Sequence, residues 1–332
     1  MDKKSSKFLD ILKQLEEKNE IPSKLTHVIR AFYNSYRATL KETYFEEIET
    51  LFLRFIELVK MQSRSPYVFP PYHKKIRKPI DYFKFGMDFL RPLVIKEKSS
   101  IKGQERLVDI QNHLKQGHNV VFLANHQTEA DPQAIFLLLE DTFPSLSEEM
   151  IFVAGEMVVT DPLAIPFSMG CDLLCIYSKR YIDHPPELKL QKQLHNKKTM
   201  GLMSELLQEG GKCIYVAPSG GRDRRNAQKE IEIAPFDPKS IEMFYLMAKR
   251  SKTPTFFYPM ALKTYAMLPP PEKVQLELGE MRSTNRVDIH MAIGEKIDME
   301  HYPGSDHPDK ELRRKCRSDY IWNLVKQDYH SF

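Results

Sequence analysis

Cysteine is scarce: there are four in 332 residues, none in a Cys-x-x-Cys pair. That is too few for a disulfide framework and lacks the spacing of a zinc ribbon. Cys171, Cys175, Cys213 and Cys316 stand in apolar or mixed surroundings, so reduced, buried thiols and an intracellular protein are expected. No stretch approaches the roughly 18 consecutive apolar residues that a membrane span needs. The longest apolar region, 151–177, is broken by Glu156, Asp161, Asp172 and two prolines, which predicts a soluble or at most peripheral protein. The opening MDKKSSKFLD lacks the apolar run of a secretory signal, and its acidic residues argue against a transit peptide. Excess charge is scarce too. The net charge is +4, with the surplus in the first 75 residues and the remainder balanced, so nothing demands a nucleic-acid partner.

What is present is an ordinary globular mixture, 42% hydrophobic and 11% aromatic, long enough for about two domains. In the first seventy-odd residues apolar side chains recur at threes and fours: Phe8, Ile11, Leu12, Leu15; then Leu25, Val28, Ile29, Phe32, Tyr36; then Tyr44, Phe45, Ile48, Leu51, Phe52, Phe55, Ile56, Val59. The spacing predicts three helices, with Ser23 after Pro22 as an N-cap. Ser65-Pro66 to Pro70-Pro71-Tyr72 interrupts the pattern, because each proline disfavours helix at the residue before it. Residues 1–73 are therefore expected as an N-terminal helical bundle and 74–332 as a larger domain.

Beyond the linker the rhythm shortens. Strands are predicted at Val120–Ala124, Ile151–Ala154, Leu173–Tyr177, Cys213–Ala217, Thr255–Met260 and Val287–Ile293, with an edge strand at Val274–Leu278. Helices are predicted at Pro132–Glu140, Thr199–Glu209, Ser240–Lys249 and Lys310–Gln327. The alternation gives an α/β class: a mixed, largely parallel sheet flanked by helices.

Three segments follow strands and carry candidate chemistry. Asn125-His126-Gln127-Thr128-Glu129-Ala130-Asp131-Pro132 opens a helix, where sites of open α/β sheets gather. Asp131-Pro132 reads as an N-cap with proline at the first helical position. Equally, a tight loop can return the Asp131 carboxylate to the His126 imidazole, fixing its tautomer and making the other nitrogen a better base. Ser219-Gly220-Gly221-Arg222-Asp223-Arg224-Arg225 offers glycines for close backbone approach and guanidinium forks for phosphate oxygens, or else a solvated turn. Lys179-Arg180-Tyr181 can close the same anion site from another side, or be a surface pair. If the strand ends converge, a histidine base beside a phosphate pocket suggests attack by a hydroxyl of a small phosphorylated substrate. His113 and His118 match no standard metal spacing, so neither metal nor cofactor is expected.

Several motifs in order resemble one family: DFLRPL at Asp88–Leu93, NHQTEADP, VAGEMVVTDPLAIPFSMG at Val153–Gly170, YSKR and APSGGRDR. Over about residues 85–262 they are similar to the soluble glycerol-3-phosphate 1-acyltransferases of plastids and some bacteria, with weaker likeness in the helical part. The resemblance implies a helical bundle plus an α/β domain. It also implies transfer of a fatty acyl group from acyl carrier protein, or from coenzyme A, to the sn-1 hydroxyl of glycerol 3-phosphate. It makes His126 the general base, Asp131 its partner, and Arg222 and Arg224 holders of the substrate phosphate. Gly220 and Gly221 match the family's glycine pair. The family usually has Lys-His after Tyr-Ser-Lys, where this chain has Arg180-Tyr181. Arg180 keeps the charge, Tyr181 offers a neutral hydrogen bond, and Lys179 is a further cation.

Two other readings keep a place. Ser219 as the nucleophile of a serine acyl hydrolase lacks the first glycine of the nucleophile elbow. A lysophospholipid acceptor fits the same His-x4-Asp spacing. The lysines at 189, 192, 197 and 198 are either a solvated helix face or a docking surface for an acidic carrier or a membrane. The Met start favours bacterial cytoplasm, with plastid stroma as the location if this is a processed plant protein.

Overall fold

The computed structural model of the chain describes residues 6–40, 44–178, 182–271 and 280–332. Helices α1 (Lys7–Glu17), α2 (Ser23–Leu40) and α3 (Phe45–Arg64) form where the apolar spacing placed them. Ser23 is not a cap. The Pro22 carbonyl accepts from the Leu25 and Thr26 amides, so Ser23 is already the first helical residue. Buried Glu49 ties the three helices together, accepting from the Phe8 amide (2.9 Å), the Ser6 hydroxyl (2.5 Å) and the Tyr33 phenol. Their aromatic core continues into the rest of the molecule: Phe32, Tyr36, Phe52 and Phe55 all pack against Phe89.

The remaining elements alternate. In chain order they begin with β1 (Tyr72–His73), α4 (Tyr82–Leu90), β2 (Ser100–Lys102), α5 (Gln104–Lys115), β3 (Asn119–Ala124), α6 (Asp131–Leu139) and α7 (Pro144–Glu149). Next come β4 (Met150–Ala154), α8 (Glu156–Thr160), α9 (Ile165–Ser168), β5 (Asp172–Cys175), α10 (Lys189–Glu209) and β6 (Cys213–Val216). The hairpin strands β7 (Arg224–Arg225) and β8 (Ile231–Glu232) precede α11 (Pro238–Ser251), β9 (Thr255–Lys263), β10 (His290–Ile293) and α12 (Lys310–His330).

Eight strands make one sheet in the order β1-β5-β4-β6-β3-β9-β10-β2. The five from β5 to β9 are mutually parallel, β1 and β10 run against their neighbours β5 and β9, and β2 runs parallel to β10. Alternate side chains of each strand face opposite sides. Phe122, Ala124, Tyr215 and Met260 pack toward the N-terminal helices, α4 and α6, while Val121, Leu123, Ile214 and Val216 pack toward α10, α11 and α12. The α/β class with a mixed, largely parallel sheet flanked by helices is thus what the chain adopts.

Boundaries moved in places. Helix α10 starts ten residues before the expected Thr199, so the lysine-rich stretch is its first half. Lys192 is not on a solvated face: it is 4% exposed and donates to Glu156 and to the His184 carbonyl. The strand expected from Val287 begins at His290, and Val287 makes only an isolated bridge to Val94. The edge strand expected at Val274–Leu278 lies outside the described residues. Cys171, Cys175 and Cys213 are buried and free, and Cys316 is free and half-buried. Among the described residues, no helix is long and apolar enough to cross a membrane.

Candidate active site

Strand order creates the site. β6 inserts between β4 and β3 and pairs with β3 in register from Val120↔Cys213 to Leu123↔Val216. Parallel neighbours end at the same edge. The loop after β3, carrying His126, therefore emerges beside the loop after β6, carrying Ser219 to Arg225. Backbone joins them: the Asp223 amide donates to the His126 carbonyl at 2.6 Å.

Asp131 does return to His126. Its Oδ2 accepts from His126 Nδ1 at 2.8 Å and from the Gln127 amide at 2.8 Å. Oδ1 accepts from the Thr128 amide at 3.2 Å and the Thr264 hydroxyl at 2.6 Å. The N-cap reading is corrected accordingly. Helix α6 begins at Asp131 itself, its N-cap position is Ala130, and no side chain caps it. The carboxylate is turned back over the preceding loop. It is 1% exposed, whereas the His126 side chain is 29% exposed. A carboxylate only accepts, so Nδ1 carries the ring proton and Nε2 keeps its lone pair.

In the second loop the Gly220 amide donates to the Ala217 carbonyl in a tight turn, and Gly220 takes φ +64°, a conformation that favours glycine. A Cβ at Gly220 or Gly221 would meet no atom of the other described residues within 4 Å, so the turn borders open space among them. The Ser219 hydroxyl donates to the Gly221 carbonyl at 2.9 Å rather than to an imidazole. Arg222 Nη2 grips both oxygens of buried Glu280 at 2.6 and 2.8 Å. Arg224 starts β7, and its Nε and Nη1 are buried without a hydrogen-bond partner among the described residues. Burial first, and the neighbouring Arg222 charge second, lower its pKa. Lys179, Arg180 and Tyr181 lie outside the described residues.

Several site residues escaped sequence reasoning. Asp223, fully buried between two arginines in sequence, accepts from Asn125 Nδ2 (2.8 Å), Gln127 Nε2 (3.1 Å) and the Ala234 amide (3.0 Å). Burial pushes its carboxyl up to about 6 despite these bonds. Asn125 also takes the Leu262 amide and donates to the Leu262 carbonyl, and Gln127 accepts from the Thr264 and Tyr265 amides. The two polar residues flanking His126 thus fasten its loop to β9 and its exit. Their placement beside a candidate base was the available signal. Arg282, held between Glu129 and Asp161, gave none. Among the described residues no group of three or more His, Cys, Asp or Glu is arranged to hold a metal ion.

A His–Asp couple at a parallel-strand exit, beside arginines on the adjacent exit, suits acyl transfer to a phosphorylated hydroxyl compound. Residues 105–263, which contain both loops, match the Acyltransferase family model. A chloroplastic glycerol-3-phosphate acyltransferase of Cucurbita moschata is 34% identical over 97% of this chain and 73% of its own length. The chloroplastic glycerol-3-phosphate acyltransferase of Arabidopsis thaliana is 33% identical over 97% of this chain and 71% of its own length. The chain belongs to this glycerol-3-phosphate acyltransferase family, and the likeness runs through the N-terminal helices as well as the motif region. A solved 1-acyl-sn-glycerophosphate acyltransferase from Thermotoga maritima aligns over 92% of this chain and 95% of its own, at 15% identity and a TM-score of 0.42.

Proposed function

We propose that this enzyme acylates the sn-1 hydroxyl of glycerol 3-phosphate, with His126 as general base and Asp131 as its partner. The hydroxyl oxygen attacks the thioester carbonyl, His126 Nε2 takes its proton, and a tetrahedral intermediate forms. The new C–O ester bond remains, the C–S bond breaks, and the proton passes from His126 to the departing thiolate. Such base catalysis contributes about 10²–10⁴-fold, with acceptor positioning adding to it. Arg222 and Arg224 hold the phosphate, Gly220 and Gly221 line the approach, and Lys179, Arg180 and Tyr181 complete the anion site.

One observation carries this reading. The loop with the His126–Asp131 couple is bonded to the loop bearing Arg224, two of whose donors are buried and unpartnered among the described residues and suit an anionic ligand. The acyl donor is proposed as a thioester of acyl carrier protein or coenzyme A. The location proposed is plastid stroma, since the relatives are named chloroplastic, or the cytoplasm of a bacterium. The division proposed at residue 73 separates two parts that share one continuous hydrophobic core.

The test is purified protein with glycerol 3-phosphate and a labelled acyl thioester, reading the product's regiochemistry. Acylation at sn-1 is expected. Acylation only of a lysophospholipid would move the acceptor assignment, and a covalent acyl-enzyme at Ser219 would replace the mechanism.

A further inference from the structure

Beneath the His126 loop lies a buried ion cluster that the acyl-transfer reading does not use. Arg282 is 7% exposed. Its Nε and Nη2 meet the two Glu129 carboxylate oxygens at 2.5 and 3.0 Å, Nη2 also reaches Asp161 Oδ2 at 3.0 Å, and Nη1 donates to the Glu280 carbonyl at 3.0 Å. Asp161 is itself buried and accepts from the Leu163 amide at 2.9 Å. Burial pushes the Glu129 carboxyl up, yet the Arg282 charge and hydrogen bonds bring it below the ordinary value. Desolvating three charges is unfavourable, and apolar side chains fill such a space at less cost. A planar fork, however, fixes its partners in orientation as well as distance.

The cluster's connections say what is being oriented. Glu129 lies three residues after His126 and two before Asp131. The catalytic loop is thus pinned on one side by Asp131 and Thr264, and on the other by Arg282. Two residues before Arg282, Glu280 grips Arg222, the cation proposed for the acceptor phosphate. The short segment 280–282 therefore touches both halves of the site.

We propose that Arg282 and Glu129 are positioning residues: their forked ion pair fixes the His126 loop relative to Arg222, so that base and acceptor anion site are set by one brace. This rests on the acceptor reading above. It adds a determinant 153 positions from the loop in sequence.

Glu129→Gln is the informative variant, because Asp161 remains as counter-ion to Arg282 and no buried cation is stranded. Arg282→Met strands two carboxylates and is used only beside Arg282→Lys, which restores charge without the fork. In the full chain, folded by circular dichroism, Glu129→Gln is expected to lower kcat about 10–100-fold, the scale of a lost charge-assisted contact. The KM for glycerol 3-phosphate should rise several-fold and that for the acyl thioester stay within about twofold. Arg282→Lys should recover only part of what Arg282→Met loses. A merely structural role predicts activity lost in proportion to folded protein, with both KM values unchanged, and that result overturns the proposal. If the wild type does not acylate glycerol 3-phosphate, the acceptor reading fails and the brace is judged without substrate. Diethyl pyrocarbonate should then modify His126 several-fold faster in Glu129→Gln, measured by peptide mass, and an unchanged rate refutes the brace.

Discussion

Replacing Asp131 by Asn keeps the shape of a side chain that is 1% exposed while removing its charge and turning one acceptor into a donor. The structure decides which way the amide settles. With its nitrogen at the Oδ2 position it would face the Gln127 N–H and the His126 Nδ1 proton, forcing the wrong imidazole tautomer. With its nitrogen at the Oδ1 position it faces the Thr128 N–H and the Thr264 hydroxyl, and that hydroxyl can rotate to accept. The second arrangement is favoured. It keeps neutral bonds from His126 and Gln127, worth about 0.5–1.5 kcal/mol each in place of about 1.5–3 for charged ones. It also strands one buried N–H, at about 1–3 kcal/mol. The expected loss of stability is roughly 3–6 kcal/mol. Because Asp131 does not cap α6, helix content should not change. With the tautomer retained, kcat should fall about 10–100-fold, from the weaker support of the imidazolium. Urea unfolding with far-UV circular dichroism checks the first figure, and steady-state acyl transfer checks the second. A fall of about 10⁴-fold with normal folding refutes the orientation argument, and wild-type turnover refutes the catalytic couple itself.

Arg224→Ala should raise the acceptor KM about 10–100-fold, with donor KM unchanged and melting temperature equal or higher, since it removes a half-buried cation whose Nε and Nη1 are buried and lack partners among the described residues. Lowered stability with an unchanged acceptor KM would assign Arg224 to packing. Asp223 gives a pH test. Its folded pKa of about 6 lies above the roughly 3.9 of an unfolded chain, so the folded state holds the proton between those values. Its contribution to stability therefore declines as pH rises from about 4 to 6, by a few kcal/mol. The unfolding free energy of wild type minus that of Asp223→Asn should fall across that window, and a rise refutes the burial argument. Ser219→Ala should retain near-wild-type turnover because its hydroxyl is turned to the Gly221 carbonyl, and abolished activity would revive the nucleophilic reading.

Local information settled much of this molecule. Helical spacing of apolar residues marked α1, α2 and α3, and short β-branched runs marked β3, β4, β6 and β9, because each pattern follows from the geometry of a few consecutive residues. The same locality placed His126 and Asp131 at a strand exit and made their five-residue return feasible. It could not choose between a carboxylate that caps α6 and one that faces His126. That choice came from Thr264, 133 positions away, and from the Gln127 and Thr128 amides. Nor could it make the arginine loop a neighbour of His126, since this depends on β6 entering between β4 and β3. Asn125, Gln127 and Asp223 acquire their meaning from that neighbourhood, and Glu129 from Arg282. A sequence period reports which face of an element is buried. Which buried polar groups satisfy one another is decided only when distant strands have taken their order.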